Sequence, residues 1–330
     1  MRPTERSIRP LVLSGKSVPN INQNLPKSLL LVGDIIYDIH HHGVGKGISI
    51  EAPVPLGLHH HTTSNWGGAG LVARNLLALG TPVFFLSIIG VDSYDKELLT
   101  LKDKYLTKKF FVDKKRHTIV KERFVIAGKK ILRWNRGDSN AIDKGLEEKI
   151  FAEIKRVLPH SSLVLISDYR HGLLTKKLAQ KVLKLTQKAG KEVWVDSQVA
   201  QNEANHKWYE GANLFCLNQK EAASIDKKFD KKNLPASLKR LQKILNTKNV
   251  TIKLGARGSA SFLGKEYIVV PAQKVKEVDA VGAGDAFFAA LASRGVISKE
   301  SLSFASKWAG LAVTISGTEP PKRSMLKDKK

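Results

Sequence analysis

The chain has 330 residues, 42% of them apolar, with 55 Lys and Arg against 30 Asp and Glu and a formal net charge of +25. That length and apolar share fit one large domain with a full core, and no run of about 18 apolar residues exists to span a membrane. A single cysteine, Cys216, excludes an internal disulfide and fits a reducing, cytoplasmic setting.

Residues 1–27 read as a basic, flexible tail whose apolar patches are too broken for a signal-peptide core. Leu29 to Gly33 reads as a buried strand, followed by Asp34 and Asp38. Residues 39–63 are rich in Gly and Pro and promise short β segments. Gly67-Gly68-Ala69-Gly70 opens a helix that reaches Gly80 and carries Leu71 and Asn75. Val83 to Gly90 is the next strand, and Thr118 to Asn135 reads as a hairpin turning at Gly128. The basic residues between them, Lys102, Lys104, Lys108 and Lys109 among others, lack the interleaved aromatics of single-strand binders. Solvated faces, rather than nucleic acid, are their expected use.

From there the rhythm is regular. A helix is expected over 141–157, a strand over Leu163–Ser167, a helix over 175–189 and a strand over Glu192–Asp196. A strand over Leu214–Leu217, helices over 219–225 and 234–246 and a strand over Val250–Leu254 follow. Two short strands within 258–270 and helices over 283–293 and 300–316 complete the series. Such alternation predicts an α/β fold, a mostly parallel sheet covered by helices on both faces. One domain over 28–318 is expected, with the insertions at 39–63 and 118–136 forming a small β lid. Residues 319–330 read as a basic C-terminal tail.

Ligands in open parallel sheets bind beyond the carboxyl ends of the strands. Asp34, Asp38, Asp168, Asp196, Asn218, Glu221 and Gly255 stand at such ends. The densest chemistry lies in Val278-Asp279-Ala280-Val281-Gly282-Ala283-Gly284-Asp285, just before an apolar helix. Gly282, Ala283 and Gly284 let backbone amides approach an anion, and the helix start adds its positive end. Asp285 then has two readings: an acid serving the helix dipole, or a base beside an anion cradle.

This stretch resembles the signature of the ribokinase-like (PfkB) carbohydrate kinases, and the resemblance recurs in order across residues 28–318. Gly33-Asp34-Ile35-Ile36-Tyr37-Asp38 and Gly67-Gly68 resemble the family's sugar-binding segments. Ile48-Ser49-Ile50-Glu51-Ala52-Pro53-Val54-Pro55 is similar to a stretch of the D-glycero-β-D-manno-heptose 7-phosphate kinases, the kinase part of bacterial ADP-heptose synthesis. Arg116-His117-Thr118-Ile119-Val120-Lys121, Leu132-Arg133 and Ser167-Asp168-Tyr169 resemble that group as well. The resemblance implies a three-layer sandwich and transfer of the γ-phosphoryl of ATP to a sugar hydroxyl, with Asp285 as base and Gly282, Ala283 and Gly284 as anion hole. It implies sugar phosphate contacts from Asp34, Asp38, Gly67, Gly68, Asn75, Arg116, Lys121, Arg133 and Asp168, with Arg123 a further basic candidate on the lid. Nucleotide contacts would come from Asn218, Glu221, Lys253, Gly255, Gly258 and Asp279, with Asn218 and Glu221 organising Mg²⁺ through water.

The chain departs from the pattern at Leu71 (Asn in the family), at His171 and Gln198 (Lys), at Ser197 (Pro) and at Val281 (a hydroxyl residue). These departures bear on which sugar is accepted, and another sugar or nucleoside of the family stands as the alternative acceptor. A silent relative that binds nucleic acid or an acidic partner is the alternative of a different class. Lid strands that pair between subunits would give a homodimer. His40-His41-His42 and His59-His60-His61 are expected to pack in the lid, because successive strand residues face opposite sides.

Overall fold

The computed structural model describes residues 28–201 and 203–326. The expected tail at 1–27 and the last part of the C-terminal tail, residues 327–330, lie outside the described residues. In chain order come β1 (Ser28–Gly33), β2 (Ile35–Ile48), β3 (Pro55–Gly68), α1 (Ala69–Ala78), β4 (Val83–Ile89), α2 (Asp95–Thr100), β5 (Leu106–Val112), β6 (Val120–Ile126), β7 (Lys129–Arg136) and α3 (Lys144–Val157). Then follow β8 (Ser161–Asp168), α4 (Lys176–Lys188), β9 (Val193–Ser197), β10 (Leu214–Asn218), α5 (Gln219–Ile225), α6 (Leu234–Ile244), β11 (Asn249–Lys253), β12 (Ser259–Leu263), β13 (Glu266–Val270), α7 (Ala283–Ser293) and α8 (Lys299–Ala312).

The main sheet runs β13-β12-β11-β10-β9-β8-β1-β4-β5. It is parallel from β11 to β5 and antiparallel only where β12 and β13 close its edge. Along β1, Leu29 and Leu31 enter one core and Leu30 and Val32 the other. That alternation is the strand period, and both sets are apolar because helices cover both faces. Leu76 of α1, Phe288 of α7 and Trp308 of α8 fill the first core. Ile154 of α3, Leu178 of α4 and Leu241 of α6 fill the second. Each such buried side chain contributes about 1.5–3 kcal/mol. Among the described residues no helix is long and apolar enough to cross a membrane.

A second sheet, β3-β2-β6-β7, stands on the carboxyl end of β1, since β2 begins two residues after β1 ends. Here the structure differs from the short segments expected over 39–63: β2 and β3 are each 14 residues long. Their glycines leave room for a neighbour, because a Cβ on Gly57 would lie 2.3 Å from Ile126 Cδ1 and one on Gly45 3.3 Å from Ile126 Cγ2. Ile126 thus covers the glycine patch, which would otherwise weaken a strand.

Two elements carry no recognisable sequence signal. α2 is only six residues long, and β5 holds Lys108 and Lys109 in mid-strand. The lysines are tolerated because β5 is the sheet edge. Lys108 caps the carbonyls of Leu99 and Leu101 at 2.7 and 2.6 Å. At the C-terminus, Glu319 bonds Asn65 and Arg74 and Leu326 packs on the core, so residues 319–326 are tied to the body.

Candidate active site

A cavity of about 770 Å³ opens between the second sheet and the carboxyl ends of the parallel strands. Asp196 stands one residue from the end of β9, Asn218 and Lys253 end β10 and β11, Tyr169 follows β8, and Asp38, Lys121, Arg123 and Arg133 come down from the second sheet. Gly282, Ala283, Gly284 and Asp285 form its floor at the start of α7.

The floor is shaped for an anion. Gly282 caps α7 with φ at 84°, and a Cβ there would lie 2.5 Å from Leu71 Cδ2. Only glycine meets both conditions. A helix leaves its first-turn amides without intrahelical partners, and here that turn lines the cavity. A Cβ on Gly284 would stand 3.4 Å from Lys253 Nζ, so a fixed cation adjoins the turn. Burial works against the charge on Lys253, but Asp196, bonded at 2.6 Å, and Glu221 more than restore it and hold its pKa above the usual lysine range.

Asp285 accepts a hydrogen bond at Oδ1 from Tyr169 Oη at 2.5 Å. Its pKa is pushed up to about 7, first by desolvation and further by Asp196 and Asp38, against the lowering effects of Tyr169 and Lys253. A group poised there can take a proton near neutral pH. Across the cavity, Asp38 accepts from Arg123 at 2.6 Å, both side chains being nearly buried. Gly67 serves this carboxylate: a Cβ there would lie 2.0 Å from Asp38 Oδ2. Lys121 stands 5.5 Å from the centre of the Tyr169 ring, its pKa lowered chiefly by burial and also by Arg133 and Arg123.

Of the candidate residues named from the sequence, Asp38, Gly68, Lys121, Arg123, Arg133, Asp196, Asn218, Glu221, Lys253, Gly255, Gly258 and the four of the floor line this cavity. Six others are placed elsewhere. Asp34 accepts from the amides of Tyr169, His171 and Leu173. Asp168 accepts from Arg170 N, Asn205 Nδ2, Tyr209 Oη and Ser197 Oγ. Arg116 spends its guanidinium on Asp113 and on the carbonyls of Asp138, His171 and Asn140. Asn75 donates to Leu71 O within α1 and accepts from Trp308 Nε1 of α8. Gly67 lies behind Asp38, and Asp279 binds Lys130 Nζ at 2.9 and 2.8 Å on the lid side of the floor.

Asn218 and Glu221 form a reciprocal capping box on α5. Their side chains are therefore engaged with one another, and a metal would meet them through water. The oxygen donors Asp196 and Glu221 line the cavity with the cations Lys220 and Lys253, and desolvation pushes Glu221 up to about 7. A sparse, hard-donor set of this kind fits Mg²⁺ carried in on phosphates. Among the described residues no group of three or more His, Cys, Asp or Glu is placed to hold a metal ion. The two histidine triplets pair across β2 and β3, with His42 stacked on His61 at 4.4 Å and His41 bonded to Glu122. Of the departures, Leu71, Gln198 and Val281 line the cavity, while Ser197 is packed beside Asp168 and His171 bonds Ser139.

Residues 26–325 match the family model for pfkB family carbohydrate kinases. The Bifunctional protein HldE of Aliarcobacter butzleri is 32% identical over 295 residues, covering 87% of this chain and 60% of that protein. That of Sulfurimonas denitrificans is 33% identical over 293 residues, with 86% and 60% covered. The chain thus spans about 60% of the length of these curated relatives. Among solved structures, Arabidopsis thaliana ribokinase complexed with ribose and ATP aligns with a TM-score of 0.67 at 21% identity, covering 92% of this chain and 98% of that one. Escherichia coli phosphofructokinase-2 in complex with potassium aligns with a TM-score of 0.76 at 18% identity, covering 91% and 96%. At these identities the structural likeness speaks to fold alone.

Proposed function

The chain belongs to the pfkB family of carbohydrate kinases, and from that premise we propose that it transfers the γ-phosphoryl group of ATP to the anomeric hydroxyl of D-glycero-β-D-manno-heptose 7-phosphate. The observation that carries the reading is Asp285, a desolvated carboxylate beside an amide-lined turn and a fixed cation. Asp285 takes the hydroxyl proton as the new O–P bond forms, the γ-phosphoryl leaves the β-phosphate, and ADP departs. The turn at Gly282, Ala283 and Gly284, with Lys253, faces the charge on the phosphoryl oxygens in transit. Mg²⁺, met through water by Asn218 and Glu221, supplies charge neutralisation when the nucleotide is bound.

The acceptor assignment is supported by the lid. Lys121, Arg123 and Arg133 line the same cavity as Asp38, so a sugar held at Asp38 finds cations for a second phosphate. It is supported too by the sequence resemblance of residues 48–55 to heptose 7-phosphate kinases.

The test is ADP release from Mg-ATP with heptose 7-phosphate, ribose, fructose 6-phosphate and adenosine, beside Asp285→Asn. Turnover with the heptose and a loss of at least about a hundredfold in the variant are expected. Turnover with another acceptor alone would replace the sugar and keep the chemistry. No turnover with any of them, together with salt-sensitive retention on DNA or RNA, would replace the kinase reading with a binding role.

A further inference from the structure

We propose that Tyr169 is a positioning residue for the base: its phenol fixes Asp285 Oδ1 so that Oδ2 is the oxygen offered to the acceptor hydroxyl. The inference rests on the reading of Asp285 as the base. The contact joins two elements 116 residues apart in sequence, the turn after β8 and the start of α7, and Tyr169 lines the same cavity as Asp285. Burial first, then Asp285 itself, hold the Tyr169 phenol well above its ordinary pKa. It stays protonated and can only donate to an ionised carboxylate.

The support of the phenol is itself built. Asp34 fixes the backbone of this turn through the amides of Tyr169, His171 and Leu173 at 3.0 to 3.3 Å. Asp168, the residue before Tyr169, accepts from Asn205, Tyr209 and Ser197 at 2.6 to 3.2 Å and from the Arg170 amide at 2.8 Å, which holds the other side of the turn. Both carboxylates are at most 2% exposed. Two acids that look like sugar ligands in the sequence thus spend their oxygens anchoring the turn that carries Tyr169.

Asp285 needs such an anchor because its surroundings pull it in different directions. Asp38 on β2, Asp196 on β9 and Glu221 on α5 repel it, while Lys121 on β6 and Lys253 on β11 attract it. A carboxylate free to swing toward either lysine would present no defined oxygen to the acceptor. The phenol holds one geometry and, by donating, favours the ionised form.

Tyr169→Phe removes only the oxygen. With the acceptor that sustains turnover, kcat is expected to fall about tenfold or more with KM for ATP within about twofold. The acid limb of kcat/KM is expected to move to higher pH. A direct readout needs no acceptor: carboxyl ¹³C NMR of aspartate-labelled full chain, in which the resonance absent from Asp285→Asn is assigned to Asp285. Its midpoint should rise by about half a unit or more in Tyr169→Phe. Should that variant fail to fold, 3-fluorotyrosine placed at position 169 is a stronger donor and should move the midpoint down instead. An unmoved midpoint overturns the proposal even if kcat falls, because a merely structural role would lower rate without changing the titration. Wild-type turnover by Asp285→Asn would instead overturn the base reading, so the two failures are told apart.

Discussion

Asp285 carries a conflict that fixes its pH behaviour. Desolvation raises its pKa to about 7, from an ordinary value of 3.8 that also describes the unfolded chain. As a base it must be ionised, so kcat/KM should rise with pH through about 7, and that limb should be absent from Asp285→Asn. Stability runs the other way. Between about pH 4 and 7 the folded state holds the proton that the unfolded state has released, so folding free energy weakens as pH rises through that window. Asp285→Asn should therefore be more stable than the parent at pH 8 and keep a smaller advantage at pH 5, read from urea unfolding at both. A variant less stable at pH 8 would show that the carboxylate is well solvated or well paired. Asp285 was legible in the sequence because Gly282, Ala283 and Gly284 precede it at the start of an apolar helix. Its contact with Tyr169 was not, because no local pattern joins residues so far apart. The internal bonds of Asp34 and Asp168 were not legible for a physical reason: an acid at a strand end looks the same whether amides or a ligand will satisfy it.

At the scale of elements, the lid is tied to the floor of the cavity through one side chain that sequence reasoning passed over. Lys130, the second residue of β7, donates to both oxygens of Asp279, which also accepts from the amides of Val281 and Gly317. Next to Lys129 at a hairpin turn, Lys130 reads as solvated, and only the fold places it on the loop before Gly282. The pair is 42% exposed at Lys130 and 8% at Asp279, so its own contribution to stability is about 1 kcal/mol or less. Its effect belongs to the hairpin instead. Lys130→Met should leave the midpoint of thermal unfolding within a few degrees, speed amide exchange over residues 127–136, and raise KM several-fold with a smaller change in kcat. Unchanged exchange would mean that the ion pair does not hold the hairpin. The long β2 and β3 escaped notice for a related reason. Glycines at 43, 45 and 57 erase the alternation that marks a strand, and their purpose appears only when Ile126 is seen against them.

For the whole molecule, the layer order was legible because its signals are local: apolar runs buried on both faces, alternating with amphipathic helices. What covers the second sheet is a question of assembly. Its edges are β3 and β7. Leu132 and Trp134 on β7, which share one face, are 49% and 60% exposed. We propose a second copy as the occupant, since a two-fold pairing of this sheet with itself buries the same residues on both sides. A stable pair of that kind removes roughly 1,200–2,000 Å² from water. Two chains of net charge +25 repel one another, which sets the direction of the salt effect. Salt shortens the Debye length to about 10 Å at 0.1 M and relieves that repulsion, while apolar burial is left intact. Light scattering should thus give a mass of twice 36.5 kDa, with dissociation at lower rather than higher salt. Leu132→Glu with Trp134→Glu should return the single-chain mass. A wild-type monomer at micromolar concentration in 0.3 M salt would sink the pairing. A dimer that salt instead disrupts would mean that ion pairs, not the apolar side chains of this sheet, hold the copies together.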